Sequence, residues 1–110
     1  MKAVVFDRHG GPDVLELRDV PDPTIAADEV LLEVRACGLN HLDLWVRGGS
    51  LGFEVEMPHV LGCDLVGVAR AVGAAVRHVT PGDRVLVLPT LSCGVCAECL
   101  AEYNACPNCR

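Results

Sequence analysis

Five of the chain's seven cysteines fall between Cys93 and Cys109, and this crowding constrains the fold more than any other feature. Cys93, Cys96 and Cys99 are each separated by two residues, and Cys106 and Cys109 repeat that spacing. A Cys-x-x-Cys loop lets two thiolates point at one centre while the intervening backbone N–H groups help neutralise the sulfurs. Gly94 removes the steric bar to so tight a turn. Zn²⁺ takes four ligands in a tetrahedron with Zn–S near ~2.3 Å, and four thiolates close a structural site. The spacing assigns Cys93, Cys96, Cys99 and Cys106 as ligands of a lobe over residues 92–109, with Cys109 as a substitute for Cys106.

Seven is an odd number, and the apolar run Met1–Phe6 is cut by Asp7-Arg8, too short for a secretory signal. A disulfide framework is therefore a weaker reading than a metal site in a reducing compartment, and the expected location is the cytoplasm. Two alternatives stay open. Five free thiols would be poor core residues in a polar lobe. An iron–sulfur cluster is suggested by Cys-x2-Cys-x2-Cys followed by Cys106-Pro107, although a ferredoxin run has a last gap of about three residues and this one has six. A four-cysteine zinc leaves no open position for water or substrate, so the lobe reads as a staple and not as an active site.

Ahead of the lobe the chain reads as mainly β. Lys2–Phe6 suits a first strand. Gly10-Gly11-Pro12-Asp13 reads as a turn, with glycine supplying positive φ. In Val14–Val20, Leu15 and Leu17 alternate with Glu16 and Arg18, which predicts a half-buried strand ended by Pro21-Asp22-Pro23. Glu29–Cys37 alternates again, with Val30, Leu32, Val34 and Ala36 on one face. Asn40 can cap a short helix with Asp43 in its first turn, an apolar face of Leu42, Trp45 and Val46, and Gly48-Gly49 as its stop. Residues 50–59 read as a loop. In the strand that follows, Gly67, Ala69 and Ala71 form a smooth face that another backbone can approach. Pro81-Gly82-Asp83 turns into Arg84–Leu88, a run expected to be buried on both faces. Many short strands with turn signals predict a small barrel or sandwich. Cys37 reads as packing, and His9, His59 and His78 as surface or loop residues.

Composition excludes several classes of function. Nine basic against fifteen acidic residues give a formal charge of −6, and no stretch clusters Lys and Arg, so nucleic acid is not an expected partner. No apolar run approaches the roughly 20 residues that span a bilayer. The chain is 51% hydrophobic and only 4% aromatic, so its core must come from Val, Leu and Ala.

Taken in order, Ala36-Cys37-Gly38-Leu39-Asn40-His41-Leu42-Asp43, Gly62-Cys63-Asp64-Leu65-Val66-Gly67, Pro81-Gly82-Asp83-Arg84-Val85 and the cysteine lobe resemble the N-terminal half of zinc-type alcohol dehydrogenases of the medium-chain dehydrogenase/reductase superfamily. The resemblance covers essentially all of residues 1–110. It implies a GroES-like β-barrel domain with a short helix and a structural zinc lobe. It also implies a Rossmann domain for NAD(P), a small alcohol or carbonyl substrate, and room for a homo-oligomer. No two glycines here sit two apart, so the Gly-x-Gly-x-x-Gly fingerprint of that second domain is absent. The chain is accordingly read as a truncated form that is inactive and binds no dinucleotide tightly by itself.

Carried over by position, the family's catalytic zinc site departs from its pattern. Asn40 stands where zinc-dependent members have a ligand cysteine, and Gly62-Cys63-Asp64 stands where they have Gly-His-Glu. Leu42 replaces the proton-relaying hydroxyl. An asparagine in the first ligand's place is similar to the quinone oxidoreductase branch, which works without catalytic metal but generally lacks the lobe. The candidate catalytic residues are Asn40, Asp43, Cys63 and Asp64. Asn40 could equally be only a helix cap, Asp43 a first-turn charge, and Cys63 a small buried thiol. His41 is the candidate contact for the cofactor phosphate, against a solvated first-turn residue. Two other classes of function compete with an NAD(P)-dependent oxidoreductase: a non-enzymatic zinc-binding module, and a small iron–sulfur electron carrier.

Overall fold

In the computed structural model, residues 1–50, 52, 54–89, 92–100 and 106 are described. The apolar stretch at the start of the chain forms β1 (Lys2–Phe6), the first anchor of the core. Phe6 is fully buried and Val5 nearly so. Burying side chains of this size contributes about 1.5–3 kcal/mol each. The Gly10–Asp13 turn is a single 3₁₀ turn, Pro12–Val14, preceded by Gly11. Gly11 has φ −72°, so positive φ is not the reason for glycine here. The reason is space, because a Cβ on Gly11 would lie 2.8 Å from Asp13 Oδ1 and one on Gly10 2.6 Å from Val14 Cγ1.

β2 (Glu16–Asp19) pairs antiparallel with β1, and β1 pairs on its other side with β4 (His59–Val60). β2 is therefore an edge strand of its sheet. Leu17, expected on the buried face, is 69% exposed. Arg18 is the better covered of the two, and it bonds to Asp7 and, at 2.9 Å, to Glu16.

The second sheet runs β3 (Val30–Cys37), β5 (Leu65–Val72), β6 (Arg84–Leu86), all antiparallel. The regular alternation expected of Glu29–Cys37 is broken by irregular pairing at Leu31/Leu32 and at Val34/Ala36. A bulge rotates the following residues to the other side of the sheet, and Val34 is exposed. Between them the small-residue face of β5 does what its composition predicts. A Cβ on Gly67 would lie 2.6 Å from the Glu33 carbonyl oxygen, so only glycine lets β3 this close. β6 is shorter than the apolar run Arg84–Leu88 and lies at the sheet edge, with Leu86 77% exposed. The expectation of burial on both faces fails, because a run of apolar letters cannot say whether a strand has one neighbour or two.

The core is thin. Among the described residues its buried apolar members are Ala3, Val5, Phe6, Val14, Ala69 and Cys106. Between the two sheets lies an open cavity of about 520 Å³, whose walls include Leu31, Leu32, Val34, Leu61 and Leu65. No helix among the described residues is long and apolar enough to cross a membrane.

On the β3–β5 surface Glu33 accepts from Arg70 at 2.5 Å and pairs with Arg35 at 2.7 Å. The Arg70 hydrogen bond, aided by the Arg35 charge, holds the Glu33 carboxyl below its usual value. A depressed carboxylate adds stability that is present above its ordinary pKa and lost as pH falls through the lowered one. The pair is solvent-exposed, so its contribution is small. Arg70→Gln is expected to raise the Glu33 midpoint in a ¹³C carboxyl titration, and an unchanged midpoint contradicts the pairing.

Candidate functional site

A second helix, α1 (His41–Gly48), follows β3, and its start is built as its sequence predicts. Asn40 Oδ1 accepts from the Leu42 N–H at 2.9 Å, and Asp43 Oδ2 accepts from the Asn40 N–H at 2.9 Å. This reciprocal box satisfies donors that a helix start leaves orphaned and stabilises it by about 1 kcal/mol. Gly49, at φ 73°, ends the helix in the left-handed conformation.

The cap has a further use. Asn40 Nδ2 donates to Asp64 Oδ2 at 2.6 Å, from a position 24 residues earlier in the chain. The Gly38 N–H donates to the Asp64 carbonyl at 2.7 Å, so the loop after β3 and the loop before β5 are tied twice. Three of the four candidate catalytic residues thus meet in one constellation: Asn40 at its centre, Asp64 against its amide, and Asp43 beneath it as the buried cap partner. Cys63 is adjacent and half-buried. Burial, with the nearby Asp64 and Asp43 charges, pushes its thiol up, so it stays protonated at neutral pH. His41 is exposed at the first turn of α1, its ring 4.8 Å from that of Trp45. Cys37 packs against Gly62 and lines the cavity. It is exposed on one side, while a Cβ on Gly62 would sit 2.6 Å from its sulfur.

These residues do not suit a catalytic zinc. Such a site needs about three protein ligands around an open position. Here Asn40 cannot become a thiolate, and its amide is engaged by Asp64. Among the described residues, the one group of three or more close metal-ligating side chains is the lobe.

There Cys93, Cys96, Cys99 and Cys106 bring their sulfurs within 4.8 Å of one another. The separations are 3.8 Å for Cys93–Cys99, 3.4 Å for Cys96–Cys99 and 3.9 Å for Cys96–Cys106. Four sulfurs at ~2.3 Å from one ion stand about 3.8 Å apart, so the spacing fits tetrahedral Zn²⁺. A disulfide needs sulfurs about 2.05 Å apart. A multi-iron cluster spreads its four thiolates over more than one iron, so the four together stand farther apart than these. Cys109 lies outside the described residues.

Local order creates the cluster. Gly94, at φ 73°, turns the first Cys-x-x-Cys, and the short helix α2 (Ala97–Leu100) brings Cys99 back over Cys96, its N–H 3.4 Å from the Cys96 sulfur. The N–H groups of Val95 and Cys96 pull the Cys93 thiol down to about 6. At Cys96 the Cys99 N–H also acts to lower the pKa, but the sulfur contact with Cys99 and burial outweigh it and push the thiol up to about 12. Four thiolates cannot share this space without a cation among them.

The chain is similar to known proteins along most of its length. The family described as "Alcohol dehydrogenase GroES-like domain" matches residues 26–110. A quinone oxidoreductase of Sus scrofa is 37% identical over 102 residues, covering 92% of this chain and 31% of that protein. A crystal structure of an NAD-dependent alcohol dehydrogenase superimposes with a TM-score of 0.88 at 49% identity, covering 100% of this chain and 32% of that one. A cobalt- and zinc-bound thermostable alcohol dehydrogenase from Pyrobaculum aerophilum gives a TM-score of 0.87 at 34% identity, with 98% and 32% covered. The chain spans about a third of the length of these relatives.

Proposed function

We propose, from the premise that this chain belongs to the family of alcohol dehydrogenase GroES-like domains, that it forms the substrate-side framework of an NAD(P)-dependent oxidoreductase. The reaction is hydride transfer between a nicotinamide and an alcohol, a carbonyl or an activated double bond. The observation that carries this reading is the Asn40–Asp64 bond, which joins two distant segments into one polar constellation.

NAD(P), when bound by the whole enzyme, supplies or accepts the hydride. This chain's residues orient the substrate oxygen. An amide nitrogen carries two protons, and Asn40 spends one on Asp64. The second is the donor for a substrate oxygen that gains negative charge. Asp64 fixes the amide plane and polarises it. Asp43 holds the Asn40 backbone. A preoriented donor of this kind stabilises developing charge without the cost of reorganising at the moment of reaction. His41, exposed at the helix start, is the contact for a cofactor phosphate, as anions favour that end of a helix. The lobe cysteines hold zinc as a staple.

The test uses the enzyme that carries this chain. One zinc per chain is expected, with Asn40→Ala lowering kcat/KM by about 10²-fold, as for removal of an oxyanion donor. A second zinc lost with Cys63→Ser would overturn the metal-free cleft. Absence of turnover with either nicotinamide across alcohols, aldehydes and quinones would leave a zinc-binding module instead.

A further inference from the structure

We infer that His9 is a positioning residue for the candidate site, acting through α1 from the end of the helix opposite Asn40; the inference rests on the reading of Asn40 and Asp64 given above. His9 follows β1, whose last residue is the fully buried Phe6. Its ring lies 6.0 Å from the Phe6 ring, and its Nδ1 is 3.0 Å from the Val46 carbonyl oxygen and 3.3 Å from that of Arg47. Both partners are carbonyl oxygens, which only accept, so Nδ1 carries the proton in every charge state of the ring. The neighbouring Gly10 completes the clasp. Its N–H donates to the Arg47 carbonyl at 3.0 Å, and its own carbonyl accepts from Arg47 Nε at 3.2 Å.

These bonds meet carbonyls in the last turn of the helix, where intrahelical partners run out; the Val46 carbonyl also accepts from the Gly49 N–H at 3.2 Å. The fit is close. A Cβ on Gly49 would lie 2.9 Å from His9 Cγ, so the glycine that ends the helix also makes room for the ring. α1 buries little of its own surface. Leu44 and Trp45 are each about half exposed (49% and 48%), and Asp43 is its one buried side chain. A helix with so little packing is oriented by its two ends. One is tied to Asp64 through Asn40, and the other to the core strand through His9 and Gly10. The direction in which Asn40 presents its free amide proton depends on both.

The experiment is NMR on the ¹⁵N-labelled chain with three variants. In wild type, long-range ¹H–¹⁵N correlation is expected to show neutral His9 as the Nδ1–H tautomer. His9→Leu fills the space without a donor. His9→Asn places an amide nitrogen near the Nδ1 position. The leucine variant is expected to move the Asn40 side-chain amide signals and to cut exchange protection of the Gly49 and Ser50 amides about tenfold, the scale of one lost hydrogen bond. The asparagine variant is expected to restore both. Trp45, the sole tryptophan, reports whether α1 remains folded. Asp64→Ala separates the two readings. Asn40 signals that ignore Asp64→Ala overturn the site reading and this inference with it. Signals that respond to Asp64→Ala but not to His9→Leu overturn the inference alone, as does an Nε2–H tautomer.

Discussion

Replacing Gly73 by alanine is expected to destabilise the domain by about 3 kcal/mol, near the top of the usual range for overpacking a tight site. Gly73 is buried at the end of β5, and a Cβ there would stand 2.3 Å from both the Ala26 and Ala27 carbonyl oxygens. Both are backbone atoms, so no rotamer change relieves the clash. The crossing cannot simply open, because the Gly73 N–H donates to the Glu29 carbonyl at 2.8 Å and the Ala75 N–H to the Ala27 carbonyl at 2.7 Å. In a domain of this size 3 kcal/mol corresponds to roughly 12–24 °C in Tm. Gly82→Ala is the control. Nothing lies within 4 Å of its Cβ position, and its cost comes only from φ 98°, about 1–2 kcal/mol. Urea unfolding of the two variants should rank Gly73 clearly first. If they lose equal stability, the close approach of residues 26–27 to β5 is not what Gly73 protects.

Removing the metal from the lobe is expected to have the second large effect, and a local one. The four clustered cysteines lie within Cys93–Cys106, and among the described residues no sheet strand contributes to them. Metal binding and folding are coupled where the ligands are. Chelation, or Cys106→Ser, should therefore abolish exchange protection around Cys96–Leu100 while β3 and β5 keep theirs. Loss of one ligand should weaken zinc binding by more than the roughly 100-fold that an outer hydrogen-bond partner of a ligand is worth. The affinity should also fall as pH is lowered, because thiols must give up protons to bind. Hydrogen exchange followed by mass spectrometry reads the division, and equal loss of protection in β3 on chelation would contradict it.

Both predictions also show what was legible early. The clustering of four sulfurs is legible from cysteine spacing because it is set within a few residues. The start of α1 was legible for the same reason: Asn40 and Asp43 are three apart, and the cap they form is local. The need for small residues along Gly67–Ala71 was visible in composition, although the partner that demands them, the Glu33 backbone, was not.

What failed in the sequence reading concerned neighbours. Leu17 and Leu86 carry strand-like apolar patterns, yet β2 and β6 are edges and leave both exposed. Alternation along β3 is overruled by its irregular pairing with β5. His9 gave no signal, since its partners Val46 and Arg47 lie 37 and 38 residues away.

Spacing along the chain is enough to specify a four-cysteine lobe, a capped helix and several strand positions. These rest on bonds and spacings that close within one turn or one loop. The tertiary structure alone decided that Asn40 meets Asp64, that His9 grips the far end of the same helix, and which strands are edges. Each of those depends on chain segments that approach only after the sheets pair, and no periodicity in either segment encodes the meeting.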